Sequence, residues 1–281
     1  MSLCLDRAGI RVDGRWLVRG VSLAVRPGRV IAIVGPNGSG KSTVLRLLGG
    51  LWKPTEGRAE IDGARLAGLP RRTLARRVTF VPQDTHIGFA FKVREVVAMG
   101  RHPHVGRFES LHRRDHRAVG AAMEQADVAH LADRLANELS GGERQRVLIA
   151  RSLATEADVV LLDEPTANLD IDHALDTYVL LRSLAGEGKA VAVALHDLNA
   201  VVRWADAAAL LHRGRLEASG PVGEVVTDEL VESVFGVRVE RLRCSDGAPA
   251  LAFDRRGGLT GAGSAALKWP MREPVPPHKR G

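Results

Sequence analysis

The stretch that decides the fold is RVIAIVGPNGSGKSTVLRLL, residues 29–48. An apolar run is followed by the glycine-rich segment GPNGSGKST and then by apolar residues at helical spacing. The segment contains the full pattern G-x-x-x-x-G-K-[ST] between a strand and a helix, which is the context that a phosphate-binding loop requires. A glycine-rich turn with a chance lysine does not explain that context. We therefore predict a loop that binds phosphate groups.

Within this loop, each residue type has a predicted task. The glycines let the backbone wrap closely, so that successive amides point at the phosphates, while Lys41 brings a mobile positive charge to the β- and γ-phosphates and the Ser42 hydroxyl can bind magnesium. The predicted nucleotide-binding residues of the loop are Gly35, Pro36, Asn37, Gly38, Ser39, Gly40, Lys41, Ser42 and Thr43.

The rest of the chain alternates apolar strands with helical stretches, which predicts a parallel sheet covered by helices on both faces. From residue 94 to about 154 the sequence is rich in Ala, Leu, Arg and His at helical spacing, as expected for a helical insert. A small helix and a hairpin are expected after Pro221. Residues 255–281 are rich in Gly, Pro and charge without periodicity, and we expect them to be disordered.

Composition limits the function classes. The 281 residues contain no apolar run long enough to span a membrane, and the N-terminus lacks a signal pattern, so a cytosolic protein is expected. The net charge is +7, but aromatic residues are only 4% and are not interleaved with the basic ones as stacking platforms for single strands require. We therefore expect no nucleic-acid partner. The charge fits a solubilising role or attraction to a membrane surface.

Two carboxylates follow the apolar run VVLL, residues 159–162. Ligands of open α/β sheets bind at the carboxyl ends of the strands, where Asp163 and Glu164 lie. Side chains alternate along a strand, so the two can serve different tasks. We predict that Asp163 holds magnesium and that Glu164 polarises an attacking water. A helix cap would be the ordinary interpretation of such a pair without the upstream loop.

Two more polar residues end strands. Gln83 follows VTFVP and could contact magnesium or water. His196 follows AVAVAL, and we predict that it contacts the γ-phosphate, although a histidine at a strand end is more often structural.

A second segment that is predicted to bind phosphate is ELSGGERQRVLIA, residues 138–150. Ser140 can cap a helix whose first amides, at Gly141 and Gly142, remain bare, and a helix N-terminus attracts anions. The effect of the dipole is small, about 0.3–1 kcal/mol at an exposed site. A capped surface helix is the simpler alternative for this segment alone.

The ordered set GPNGSGKST, VPQ, LSGGERQRV, VVLLDEPTANLD and ALHD resembles the nucleotide-binding subunits of ABC transporters over roughly residues 1–240. The resemblance implies a P-loop NTPase (RecA-like) α/β core with an antiparallel β subdomain and an inserted α-helical subdomain. It divides the chain into an ATPase domain (1–220, with the helical subdomain at about 86–154), a C-terminal extension (221–254) and the tail (255–281).

The same resemblance assigns roles and partners. Gln83 is similar to the Q-loop residue, residues 140–145 to the signature, Asp170 to the D-loop residue and His196 to the switch histidine, so Gln145 and Asp170 join the nucleotide-binding set. The signature loop of one copy would close on the nucleotide held by the other. One chain would therefore carry two phosphate-binding loops because they belong to two different sites of the dimer. The cofactors implied are ATP and magnesium.

The implied assembly is a homodimer on the cytoplasmic face of the cell membrane. Its helical insert would receive a coupling helix of an integral-membrane permease, and a periplasmic or extracellular substrate-binding protein would act indirectly. Residues 93–108, VREVVAMGRHPHVGRF, resemble the ATPases of importers for iron(III)-siderophores, haem and cobalamin. The alternatives are the ATPase of an exporter and a soluble ABC ATPase that acts on nucleic acid.

The adenine-stacking residue is an open position. Relatives often place an aromatic residue where this chain has Val12, and Trp16 close by is the alternative.

Overall fold

The structure is a computed structural model that describes residues 2–84, 88, 90–106, 109–167 and 169–255. The prediction of a disordered tail falls, from residue 256 onward, outside the described residues. The described strands are β1 (Leu3–Val12), β2 (Arg15–Val25), β3 (Arg29–Val34), β4 (Glu56–Ile61), β5 (Ala64–Arg65), β6 (Val78–Val81), β7 (Val159–Asp163), β8 (Ala190–Ala194), β9 (Ala207–His212), β10 (Arg215–Pro221), β11 (Val237–Arg243) and β12 (Pro249–Arg255). The described α-helices are α1 (Lys41–Leu48), α2 (Arg71–Ala75), α3 (Val93–Ala98), α4 (Arg113–Gln125), α5 (Gly141–Leu153), α6 (Ile171–Gly186), α7 (Leu198–Trp204), α8 (Val222–Val225) and α9 (Asp228–Phe235).

The central sheet has six strands in the order β10-β9-β3-β8-β7-β6. The strands from β9 to β6 pair in parallel, and β10 adds an antiparallel edge. Every residue of β7 and β8 is buried, as expected for strands with helices on both faces. The predicted α/β class is confirmed. Because β3, β8, β7 and β6 are neighbours, the segments that follow their carboxyl ends meet at one edge.

A second, antiparallel sheet has the order β2-β1-β4-β5. Its inner residues, such as Leu3 and Ile61, pack in one hydrophobic cluster with Leu45 and Leu48 of α1 and Ile33 of β3. The antiparallel sheet therefore covers the phosphate-loop helix from the side opposite the central sheet.

Helices α3, α4 and α5 lie in the predicted helical insert. They pack through buried Val96, Val97 and Met123, and an ion pair is buried among them: Arg101 Nε lies 3.0 Å from Asp115 Oδ1, with side chains 3% and 0% exposed. Replacing only one partner of such a pair would leave the other charge buried and uncompensated, which strongly destabilises a fold. The exact subdomain boundary remains a prediction.

The C-terminal segment differs from expectation in one detail. One helix was predicted after Pro221, whereas the structure has α8 and α9, because the Thr227 hydroxyl accepts a hydrogen bond from Leu230 N and so starts a new helix. The predicted hairpin is β11–β12. Its Leu251 exchanges two hydrogen bonds with the Asn199 side chain of α7, with lengths of 2.7 and 3.1 Å.

Asp206 ties the start of β9 to the central sheet. Its carboxylate accepts hydrogen bonds from Val30 N and from Arg182 Nη1, both at 2.7 Å. Across the described parts of the chain, no helix is both long and apolar enough to cross a membrane.

Candidate functional site: a nucleotide site at the strand ends

The loop between β3 and α1 requires glycine at two positions. Gly35 has φ 150° and Gly40 has φ 105°, both in a region that favours glycine. A Cβ atom at Gly35 would lie 2.1 Å from the carbonyl oxygen of Leu211, and one at Gly40 would lie 2.4 Å from Val18 Cγ1. Neither contact is possible for a real side chain. The backbone of this loop is therefore packed tightly into its turn.

The start of α1 suits an anion. Gly40 caps the helix without any side-chain hydrogen bond, so the amides of the first turn have no acceptor within the helix. The Ser39 hydroxyl is buried at 3% exposed, and it has no hydrogen-bond partner among the described residues. A buried hydroxyl and bare amides around a tight glycine loop fit a phosphate group.

Lys41 is the cation of the site. Its side chain is 4% exposed, and Nζ donates to the carbonyl oxygen of Gly35 at 3.0 Å and lies 3.7 Å from Glu164 Oε1. Burial lowers the pKa of Lys41, although the carboxylates of Glu164 and Asp163 oppose this shift. A buried ammonium beside bare amides would gain a second anionic partner if a phosphate entered the loop.

Ser42 and Asp163 meet across the loop. The Ser42 hydroxyl donates to Asp163 Oδ1 at 2.9 Å, and Asp163 is 2% exposed. Burial raises the pKa of Asp163, the neighbouring Glu164 raises it further, and the Ser42 hydrogen bond acts against both. A hydroxyl and a carboxylate are the hard oxygen ligands that magnesium prefers. Among the described residues, no group of three or more His, Cys, Asp or Glu could hold a metal ion.

Glu164 connects the predicted catalytic residues. Gln83 Nε2 donates to Glu164 Oε2 at 2.8 Å, and His196 Nε2 lies 2.5 Å from Glu164 Oε1. Glu164 adopts φ 51°, which is uncommon for a residue with a side chain, and strain of this kind occurs often at active sites. The structure thus brings together Gln83, Glu164, His196 and Lys41 from separate strand ends.

Helix α5 starts after Ser140, as predicted for residues 138–150. The Ser140 hydroxyl accepts from Glu143 N at 3.2 Å, and Glu143 Oε2 accepts from Ser140 N at 2.7 Å, which is a complete capping box. Ser140 and Gly141 are exposed, and in the described part of the chain no hydrogen bond or ion pair joins them to the loop of residues 35–43. Gln145 behaves differently because its side chain is buried, at 3% exposed, with no partner for Nε2.

Asp170 caps the next helix, α6. Its carboxylate accepts from His173 N at 3.2 Å and also contacts His173 Nδ1. The hydrogen bond from the His173 side chain lowers the pKa of Asp170. A Cβ at Gly142 would lie 3.4 Å from the His173 ring, so the start of α6 lies beside the start of α5. The sequence analysis missed His173, although its position three residues after a cap was a usable signal.

Val12 and Trp16 lie at the β1–β2 hairpin. Val12 is 43% exposed, whereas the Trp16 ring lies between Arg11 and Arg19, whose guanidinium carbons are 5.9 and 5.0 Å from the ring centroid. Strand β2 contacts the phosphate loop through Val18. Both residues therefore belong to the hairpin that borders the loop.

Comparison with known families decides the identity of this site. The model of the family described as "ABC transporter" matches residues 18–167, more than half of the chain. The chain belongs to the ABC transporter family. This ABC protein is an ATPase whose hydrolysis of ATP is coupled to transport, and the predicted nucleotide binding is confirmed at the level of the family. ABC ATPase cassettes act as dimers with membrane partners.

Three relatives of this ABC ATPase are similar over most of its length. The hemin import ATP-binding protein HmuV of Gloeobacter violaceus is 45% identical over 242 residues, 84% of this chain and 87% of that protein. The cobalamin import ATP-binding protein BtuD of Halobacterium salinarum is 42% identical, covering 84% of this chain and 60% of that one. The ferric enterobactin transport ATP-binding protein FepC of Escherichia coli is 40% identical, covering 80% and 84%.

Solved structures agree with the fold. A chain of a metal-chelate type ABC transporter in an inward-facing conformation superposes with a TM-score of 0.78 and 29% identity, covering 90% of this chain and 96% of that one. A dimeric bacterial ABC transporter cassette superposes with a TM-score of 0.69 and 29% identity, covering 78% and 98%.

Proposed function

We propose that this chain is the ATP-hydrolysing subunit of an importer for a metal chelate, namely an iron(III)-siderophore, haem or cobalamin. The observation that carries the catalytic part is the position of Glu164, which contacts Gln83, His196 and Lys41 beside the phosphate loop. The names of the relatives support the direction and class of cargo.

The phosphate loop binds the triphosphate of ATP. The first-turn amides of α1 and the Ser39 hydroxyl donate hydrogen bonds to phosphate oxygens. Lys41 neutralises charge on the β- and γ-phosphates. Ser42 and Asp163 would hold magnesium, which supplies further neutralisation of the developing phosphate charge.

Glu164 is the general base in this proposal. Its carboxylate orients a water for in-line attack on the γ-phosphorus and accepts a proton from that water. The contact with His196 fixes one carboxylate oxygen, and the Gln83 amide fixes the other. His196 is 44% exposed, so its ring can also reach a γ-phosphate bound at the same edge.

Two copies complete each site. The signature loop is exposed at Ser140 and Gly141 and, among the described residues, makes no hydrogen bond or ion pair with the phosphate loop of its own chain, so it can contact the nucleotide of a second copy. We assign the nucleotide-binding roles of Ser140, Gly141, Gly142, Gln145 and Asp170 to this contact. Because the Gln145 side chain is buried, it would contribute to this contact indirectly, by supporting the signature helix from inside.

The assembly proposed is a homodimer on the cytoplasmic face of a membrane, bound peripherally to permease subunits, with a substrate-binding protein acting indirectly. The test is ATP turnover of the chain purified with its membrane partner, in the presence of individual chelates. Stimulation by one iron, haem or cobalamin chelate supports the proposal. Turnover that responds to DNA or RNA and to none of the chelates would contradict it.

A further inference from the structure

Helix α6 carries a row of apolar side chains on its outer surface. Ile171, Leu175 and Val179 are 80%, 43% and 55% exposed. Their spacing of four residues places them on one face, one turn apart. The opposite face of α6 is different, because Thr177, Tyr178 and Leu181 point inward and are buried. We call Ile171, Leu175 and Val179 the α6 row.

The α6 row is not needed for the core of one copy. Single exposed apolar residues are ordinary in proteins, but a contiguous apolar strip marks a contact surface. From Ile171 to Val179 the row spans about 12 Å along the helix. The exposed acidic residues Asp172 and Asp176 border it, so the outer face combines an apolar strip with a polar margin.

The row begins at the surface that the proposed function places between two copies. Asp170 is the cap of α6, and Ile171 is its first residue. Within the first turn of the helix, the His173 ring lies beside Gly142 of the signature loop. The α6 row is therefore continuous with the signature loop through the first turn of α6.

We propose that the α6 row packs against a second copy of this chain and extends the nucleotide-dependent dimer contact beyond the two phosphate-binding loops. In a two-fold symmetric dimer the same patch is used on both copies. The row suits such self-contact, since Leu175 is central and has one apolar residue a turn away on each side. The inference rests on the dimer of the proposed function, and it adds an apolar contact that holds no nucleotide.

The test measures dimerisation of the full chain in the Glu164→Gln background with ATP and magnesium, by sedimentation. Leu175→Gln removes an apolar contact from both copies, and we expect dimerisation to weaken by about tenfold to hundredfold. Leu242→Gln is the matched control, because Leu242 is 44% exposed, nearly the same as Leu175, but lies on β11. The control should dimerise like its parent.

Each outcome separates the inference from the proposed function. If the parent dimerises with ATP and Leu175→Gln dimerises equally well, the α6 row is not in the contact, and the proposed function stands. If the parent stays monomeric with ATP, the proposed function fails and the inference with it. If Leu242→Gln weakens dimerisation as much as Leu175→Gln does, the cause is a general loss of folding, and the inference is overturned.

A cross-link gives an independent readout. Leu175→Cys is made in a chain whose Cys4 and Cys244 are replaced by Ser, and mild oxidation with ATP bound is expected to yield a covalent dimer. A different outcome is that the cysteine is protected from a thiol reagent in the monomer. If removal of residues 256–281 ends that protection, that segment covers the α6 row. Protection that appears only with the membrane partner would assign it to the permease. Either result overturns the proposal.

Discussion

His196 Nε2 lies 2.5 Å from Glu164 Oε1, at the carboxyl ends of the neighbouring strands β8 and β7. The contact joins two residues that are far apart in sequence. It fixes the carboxylate beside Lys41, which lies 3.7 Å from the same oxygen. The ordering of Glu164 by its neighbours is the basis for its assignment as general base.

Glu164→Gln is expected to keep ATP binding and to lower turnover by about 10²–10⁴-fold, because the amide cannot accept a proton from water. The variant should accumulate as an ATP-bound dimer. Nucleotide binding by calorimetry and phosphate release by a coupled assay check the two parts separately. Normal turnover of this variant would show that another group is the base.

Gly35→Ala and Gly38→Ala form a matched pair in the phosphate loop. Both positions have positive φ, at 150° and 76°, but only a Cβ at Gly35 would collide with backbone, 2.1 Å from Leu211 O, whereas nothing lies within 4 Å of one at Gly38. We expect a loss of about 1–2 kcal/mol in the free energy of unfolding for Gly38→Ala. Gly35→Ala should lose roughly a further 1–3 kcal/mol from overpacking. Urea unfolding without nucleotide measures both, and equal losses would contradict the collision.

Asp206→Asn tests the tie between β9 and the central sheet. Burial acts to raise the pKa of Asp206, but hydrogen bonds from Val30 N and Arg182 outweigh it, so the pKa is lowered from 3.8. The wild type therefore gains stability that is fully present above pH 3.8 and is lost as the pH falls through the folded-state pKa. We expect the variant to be less stable by about 1–3 kcal/mol at pH 7.

That difference in the free energy of unfolding should shrink in acid, since the protonated carboxyl group of Asp206 is uncharged, like the amide group that replaces it in the variant. Unfolding in urea at several pH values is the measurement. A difference that stayed constant down to acid pH would show that shape, and not charge, is what matters at this position.

Val12→Tyr tests recognition of the base. Val12 has no aromatic face, and it lies on the hairpin whose strand β2 borders the phosphate loop. A stacked base is worth about 1–3 kcal/mol, so we expect tighter binding of ATP, measured by calorimetry with Glu164→Gln. Trp16→Ala is the companion variant. A large loss of ATP affinity in it, with no gain from Val12→Tyr, would assign the stacking role to Trp16.

The sequence predicted the elements that carry the site because their signals are local. The loop at residues 35–43 has a fixed pattern, and apolar runs marked β7 and β8, so Asp163, Glu164 and His196 could be placed at strand ends. Ser140 was predicted as a cap from its two following glycines. These features depend on neighbours within a few residues.

Other features depend on distant contacts and could not be predicted. Nothing near Asp115 indicates that it is fully buried against Arg101, and nothing near Asp206 indicates its bond to Val30 of another strand. The burial of Gln145 inside α5 follows from how that helix packs in the insert. The left-handed backbone of Glu164 is likewise set by its surroundings.

Mixing two inactive variants tests the central claim that each site is shared by two copies. Lys41→Ala damages the phosphate loop. Gly141→Glu places a negative charge where the phosphate of the other copy should dock, and a Cβ at Gly141 meets nothing within 4 Å, so the fold should be unaffected. In a mixed dimer, the intact phosphate loop of one copy faces the intact signature loop of the other. The account predicts that ATP turnover reappears on mixing, and a mixture as inactive as its two components would contradict it.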